Sequence, residues 1–195
     1  MKKLLFLSAA TFIVVAAVHA QTDVALVKNE IKTNRKQESA IKKEEREERK
    51  ELKKLEGKEV SDQSKQAFNG DFGKIPVSKW ERTAYYDEAT FIKDGEIMTA
   101  YYDAYSKLVG TTSHKTFADL PADAQKFIDA KYKGYSKTAV VFFDDNEWNE
   151  TDMILYGSRF ADADNYFVEL KKDNKDIILQ VDMTGKVSFF KQLKK

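Results

Sequence analysis

The chain has 195 residues, 33 Lys and Arg against 32 Asp and Glu, two histidines and no cysteine. Without a thiol there is no cysteine nucleophile, disulfide framework, thiolate zinc site or lipid-modified cysteine, and the balanced charge exerts no global pull toward nucleic acid or an anionic membrane. The length fits one domain, or one domain with an appendage, and is enough to bury a core.

Met1-Lys2-Lys3 is a short basic start, the run from Leu4 to Val18 is apolar apart from Ser8 and Thr11, and Val18-His19-Ala20 places small residues where signal peptidase needs them. This pattern predicts a secretory signal peptide over residues 1–20, cleaved before Gln21, with a periplasmic or secreted product. The rival reading is a retained anchor, but the apolar run is short for spanning, so no integral membrane span is expected after cleavage. No cysteine follows the cleavage point, which excludes a lipoprotein. Loss of Lys2, Lys3 and His19 leaves 31 basic and 32 acidic residues and a single histidine, His114. A serine triad would need His114 as its base, and a histidine-rich metal site has no ligands. Within Thr111-Thr112-Ser113-His114-Lys115 the plainer reading of His114 is a solvated strand-end residue.

Residues 22–57 hold 11 basic and 9 acidic side chains, no proline, and one glycine, Gly57, at the end where a helix cap belongs. They predict a long charged helix over about residues 23–56. Glu45 with Arg49, Glu47 with Lys50 and Glu51 with Lys54 support an exposed helix. A heptad frame runs through Val24, Val27, Ile31, Asn34, Glu38, Ile41, Glu45, Glu48, Leu52 and Leu55, with four of ten positions polar. The segment therefore reads as a solvated spacer or as a coiled coil joining copies of the chain through residues 23–56. Its interleaved acids argue against nucleic acid.

From Val60 onward aromatic and β-branched residues alternate with turn signals, the composition of a sheet. Residues 88–95 lie over residues 167–174 at a constant offset of 79, and the frame continues through Ala100/Leu179, Tyr102/Val181 and Lys107/Lys186. Each copy is preceded by a helical stretch: Ser61-Asp62 caps one carrying Ala67, Phe68 and Phe72, and Pro121 starts one carrying Ala124, Phe127, Ile128 and Tyr132, with Gly134 as its stop. About twenty extra residues of the second unit fall within 144–165, where 153–160 predicts an additional strand. A two-residue turn at Asp94-Gly95 sets Phe91 opposite Met98 and Ala89 opposite Ala100 on one face, and Ile92/Ile97, Thr90/Thr99 and Glu88/Tyr101 on the other. In the second copy the first face becomes Val168, Leu170, Ile177, Leu179 and Val181, uniformly apolar and expected under the helices. Met183-Thr184-Gly185 predicts a tight hairpin with Gly185 left-handed, bringing Val187 beside Val181 and Phe189 beside Leu179. The expected fold class is α+β: a tandem repeat of helix plus antiparallel sheet over residues 58–195 (units of about 60–119 and 120–195), preceded by the charged helix.

Phe68-Asn69-Gly70-Asp71-Phe72, Trp80-Glu81-Arg82-Thr83, Ala100-Tyr101-Tyr102-Asp103, Leu108-Val109-Gly110-Thr111-Thr112, Leu120-Pro121 and Asp182-Met183-Thr184-Gly185-Lys186-Val187 resemble the PepSY-like family of secreted Gram-negative proteins, described as β-lactamase-inhibitor-like. The resemblance covers roughly residues 60–195. It implies a fold akin to β-lactamase inhibitor protein, export, and no catalytic residues; β-lactamase inhibitor proteins carry cysteines, which this chain lacks.

Trp80, Ile92, Ile97, Tyr101, Phe167 and Ile178 are the candidate partner-binding residues, forming an open aromatic and aliphatic sheet face for a protein or peptide of the cell envelope. The alternative is ordinary cross-strand aromatic packing. Asp144, Asp145, Asn146, Glu147, Glu150, Asp152, Asp162, Asp164 and Asn165 supply calcium-type oxygens but no EF-hand spacing, and read as solvated loops. Trp148 among them has no assigned place. No phosphate loop, nucleophile elbow or paired-histidine motif occurs, so no catalytic residue, metal ligand or cofactor is assigned. The functional expectation is a non-enzymatic exported binding protein. The alternative is an assembly protein working through its charged helix.

Overall fold

The computed structural model describes residues 57–193 and, before them, residues 32–37, 39–41, 43–44, 47–48, 51 and 55. The expected signal peptide lies outside the described residues, as does much of the expected charged helix; the described positions from 32 to 55 are helical and exposed. The chain divides into two units, one ending at Glu47 and one beginning at Glu48.

The second unit is a mixed α+β structure. From Gly57 onward its helices are α1 (Asp62–Phe72) and α2 (Ala122–Lys131), with a 3-10 turn at Phe117–Asp119. Its strands are β1 (Val77–Arg82), β2 (Asp87–Lys93), β3 (Glu96–Tyr102), β4 (Leu108–Lys115), β5 (Ser136–Asp145), β6 (Ile154–Leu155), β7 (Ser158–Arg159), β8 (Asn165–Lys172), β9 (Lys175–Asp182) and β10 (Val187–Leu193). Eight strands form one antiparallel sheet in the order β1-β2-β3-β4-β5-β8-β9-β10, while β6 and β7 make a separate hairpin.

Ser61 caps α1, its hydroxyl accepting from the Ser64 amide at 3.0 Å. Below that cap lies a buried ion pair: Arg82 Nε donates to Asp87 Oδ1 at 2.6 Å and Nη2 to Oδ2 at 2.8 Å, while the Ser64 hydroxyl donates to Oδ2 at 2.8 Å. A buried carboxylate tolerates this position because several donors reach it at once. The network ties the start of α1 to the first two strands.

The hairpin register is the expected one. Asp94 and Gly95 both take positive φ, 52° and 84°, and Phe91 pairs with Met98, Ala89 with Ala100 and Ile92 with Ile97. Gly185 likewise has φ 87°, with Val187 opposite Val181 and Phe189 opposite Leu179.

One sheet face carries two cores. Phe68 of α1 packs on Ala89, Phe91, Ala100 and Tyr102; Leu120, Ala124 and Ile128 pack on Val140, Val168, Leu170, Ile177, Leu179 and Val181. The expected helix-bearing face is thus occupied as the alternation demands.

The inserted segment differs from expectation. Instead of one strand over 153–160, the chain reverses at Tyr156 and Gly157, φ 53° and 70°, to form the β6–β7 hairpin. Two consecutive residues with positive φ make a tight reversal, which a strand cannot continue through.

Candidate functional site

The face opposite the helices is where side chains are left over once the two cores are filled. It has a covered part and an open part, and the boundary between them follows from residues 146–164, the connection from β5 to β8.

This connection lies across the face as a flap. Its Met153, Ile154, Leu155, Tyr156 and Phe160 pack on Tyr86, Tyr101, Val109, Phe143, Phe167, Ile178, Phe190 and Leu193. The ring of Phe160 stands edge-on to Phe143 at 5.1 Å and to Phe167 at 4.8 Å between centroids, and Phe167 meets Phe190 at 5.0 Å. Polar contacts fix the flap. The Ile154 amide donates to the Tyr86 hydroxyl at 3.0 Å, the Tyr156 hydroxyl to Glu169 at 2.9 Å, and the side-chain amides of Asn146 and Asn149 both donate to the Leu108 carbonyl, at 2.7 and 3.0 Å. Within the flap, Arg159 meets Asp152 at 3.4 Å.

The six predicted partner-binding residues therefore separate. Tyr101, Phe167 and Ile178 lie on the expected face but are buried, at 8%, 0% and 0% exposure, because the flap delivers an apolar lining of its own over them. The open aromatic face expected there is corrected to a closed layer. Burial pushes the Tyr101 hydroxyl up to about 12, against the opposing effect of its hydrogen bond with Thr112 at 3.0 Å. Trp80 is on the other face altogether: it pairs with Ala89 and stands edge-on to Phe68 at 5.6 Å. Unbroken register from the Thr83–Tyr86 connection through Arg82 and Asp87 sets that orientation.

Ile92 and Ile97 alone of the six remain open, 58% and 56% exposed and directly paired across β2 and β3. Thr90 and Thr99, whose hydroxyls meet at 3.3 Å, continue the strip. His114 is exposed on the adjacent strand, facing Val141 of β5. At the hairpin end Lys115 closes on both carboxylate oxygens of Glu96 at 2.7 Å.

The acidic residues of 144–165 have individual places. Asp164 accepts from the Asp145 amide at 2.8 Å and Asp152 pairs with Arg159, while burial first, then Asp162 and Asp164 beside it, push the Asp145 carboxyl up to about 7. Among the described residues no three such side chains converge as a metal would require. Trp148 stands at the outer turn of the flap, 95% exposed. What sequence reasoning missed is the flap. The signal was present: an insertion holding Met153, Ile154, Leu155 and Phe160 around a Tyr-Gly reversal has apolar side chains that need a surface to cover.

No protein-family model and no curated protein matches the chain. Solved structures do. A DUF2874 family protein from Bacteroides uniformis ATCC 8492 is 14% identical, with 66% of this chain and 86% of that one covered and a TM-score of 0.54. A BLIP-like protein from Bacteroides fragilis NCTC 9343 is 18% identical over 70% and 89% of the two chains, TM-score 0.54. A protein provisionally described as periplasmic, from Bacteroides eggerthii DSM 20697, is 14% identical over 69% and 88%, TM-score 0.55. At these identities the likeness is one of fold, and it is consistent across all three.

Proposed function

We propose that this chain is a non-enzymatic exported binding protein of the PepSY-like kind, which engages a protein or peptide of the cell envelope on the sheet face opposite its helices. In this reading the two halves, α1 with β1–β4 and α2 with β5 and β8–β10, are a tandem repeat of one unit. Inhibition of the partner is the outcome that the β-lactamase-inhibitor-like resemblance suggests.

One observation carries the reading. Ile92 and Ile97 form a cross-strand apolar pair that no described residue of the second unit covers. Aliphatic side chains held on a rigid strand pair cost little entropy to bury against a partner. The threonines and the Glu96–Lys115 pair beside them supply a polar rim of the usual interface kind. Export rests on the signal-like residues 1–20, and the neighbour provisionally described as periplasmic supports it.

The test uses the chain lacking residues 1–20 as bait in the host's envelope fraction, beside the double variant Ile92→Thr and Ile97→Lys, which puts no like charges opposite each other. The expected outcome is a specific protein retained by the unaltered chain and lost by the variant. Both side chains are mostly exposed, so the variant should keep its stability to within about 1 kcal/mol. Equal retention by both baits would rule out this strip as the contact.

A second reading, assembly through the charged helix, has its own observation: Ile41 and Leu55 are helical and 57% and 82% exposed. Both fall on the heptad frame, where a partner helix would bury them.

A further inference from the structure

The charge balance of the whole chain hides a separation along the strands. β5 runs from Ser136 to Asp145 and β8 returns beside it from Asn165 to Lys172, so one end of the pair carries Asp144 and Asp145, the acidic foot of the flap, and the other carries lysines. Residues 144–165 hold seven carboxylates and one base, Arg159. The opposite end is the reverse. Residues 131–137, which lead from α2 into β5, hold three lysines and no acid, and the β8–β9 turn reads Lys171-Lys172-Asp173-Asn174-Lys175. At the strand rise the ten residues of β5 put about 30 Å between the two ends.

Lys131, Lys133, Lys171, Lys172 and Lys175 are all exposed and form one patch. Ser136 pairs with Lys171, and Nζ of Lys172 lies 3.5 Å from where a Cβ on Gly134 would stand, so the chain leaving α2 and the β8–β9 turn meet. Lys126 and Lys137 are paired with Asp123 and Asp129, but among the described residues none of these five makes an ion pair. Asp173 in the turn and Asp176 opposite Lys171 offset part of their charge, while Glu169 is turned to the flap, where Tyr156 donates to it. Lys172 and Lys175 face each other directly across β8 and β9. Like charges so placed repel, and an anion brought against both removes that cost. Rings lie within the patch: Nζ of Lys131 is 5.0 Å from the centre of Phe127 and 5.9 Å from that of Tyr132, and Nζ of Lys172 is 5.7 Å from that of Tyr135.

We propose that this end of the sheet is a docking surface for an anionic phospholipid leaflet, on which the domain stands with its lysines against the headgroups and its acidic end turned away. Lysine rather than arginine carries the charge; the two arginines after Gly57, Arg82 and Arg159, are paired with Asp87 and Asp152. Ammonium groups on flexible stems suit a diffuse plane of charge, whereas a fixed phosphate or carboxylate site favours the guanidinium fork. Five lysines fall within the range, about four to eight, at which a basic cluster holds to acidic lipid. Tyr132 and Tyr135 suit the headgroup layer, where amphipathic rings accumulate, and Phe127, 41% exposed, adds an apolar one. A negative surface attracts one end of such a dipole and repels the other, which sets the orientation. The inference goes beyond the strip at Ile92 and Ile97 and makes no use of it, taking from the proposed function only a location beside a membrane.

Vesicle sedimentation of the chain lacking residues 1–20 tests it, with vesicles of equal parts phosphatidylglycerol and phosphatidylcholine against vesicles of phosphatidylcholine alone. The expected result is binding to the acidic vesicles only, weakening as salt shortens the screening length from about 30 Å at 0.01 M to about 8 Å at 0.15 M. Lys172→Gln with Lys175→Gln should lower the affinity about tenfold or more. Lys107→Gln with Lys186→Gln, an equal change of net charge at the acidic end, should alter it by less than about threefold. Neutralising the facing pair removes a repulsion, so the first variant keeps its fold. Trp148, 95% exposed at the acidic end, reports the orientation: acrylamide should quench it as well on vesicles as in solution. No binding to acidic vesicles, equal affinity of the two double variants, or protection of Trp148 would each overturn the proposal. Polyglutamate that displaces the vesicles at equal charge would assign the patch to acidic proteins and overturn it too. No partner protein is present, so failure here and failure of the Ile92–Ile97 strip are told apart.

Discussion

Gly110 shows how far a single residue sets the candidate site. A Cβ placed there would stand 2.5 Å from Cζ of Phe143 and 2.6 Å from the Asp144 carbonyl oxygen, both well inside contact distance. The phenyl ring occupies the space a side chain would need, and it is held there by Phe160 from the flap. Gly110→Ala must displace either a fully buried ring or the strand that carries the acidic foot of the flap, so we expect a loss of about 2–4 kcal/mol. Urea denaturation reads it directly. A loss below about 0.5 kcal/mol would show that the ring swings aside freely. The glycine stands plainly in Leu108-Val109-Gly110-Thr111-Thr112, but nothing in that segment says what approaches it, because Phe143 comes from another strand 33 positions on. Ile92 and Ile97 were legible for the opposite reason. A two-residue turn between them fixes their register locally, so their shared face follows from Asp94-Gly95 alone.

Elements add what residues cannot show. The helix-bearing face was readable from alternation, since Val168, Leu170, Ile177, Leu179 and Val181 leave one side of two strands continuously apolar. Trp80 was not readable: its face follows from the tight connection Thr83–Tyr86, closed by the Thr83 amide donating to the Tyr86 carbonyl at 2.8 Å, and no glycine or asparagine in that stretch marks a turn. The burial of Tyr101, Phe167 and Ile178 was hidden too, because it depends on where a nineteen-residue connection goes, from 146 to 164, rather than on any strand pattern. That connection is an integral part of the core. Phe160, 6% exposed, touches the rings of Phe143, Phe167 and Phe190. Phe160→Ala should therefore cost about 3–5 kcal/mol if flap and sheet unfold together. A flap that instead lifts by itself would show a much smaller loss of global stability together with new binding of an apolar dye at neutral pH. Thermal melts with and without the dye separate the two, and a stable variant that binds no dye would show that Phe160 is dispensable to the cover.

At the scale of the whole molecule the open question is association, and the sheet and the charged segment give different answers. The sheet has two free edges, β1 and β10, which are templates for adding another chain. Both are blunted: β1 carries a register shift between Val77 and Lys79, β10 one between Phe189 and Lys191, and each places a lysine at the irregularity. Irregular, charged edges discourage continuous pairing between copies. The segment before Gly57 offers apolar seam positions instead. Ile41 and Leu55 are exposed and helical, fourteen positions apart and so in heptad register, with Val24, Val27, Ile31 and Leu52 on the same frame. Four polar seam positions weaken that frame, which favours a concentration-dependent assembly over a permanent one. Sedimentation velocity on residues 21–195 against residues 58–195 decides where association lives. A larger species that grows with concentration and vanishes on truncation places it in the charged segment. A larger species that survives truncation points back to a sheet edge despite its bulges, and a monomer in both forms leaves the segment as a solvated spacer and the sheet face as the surface with a protein partner to find.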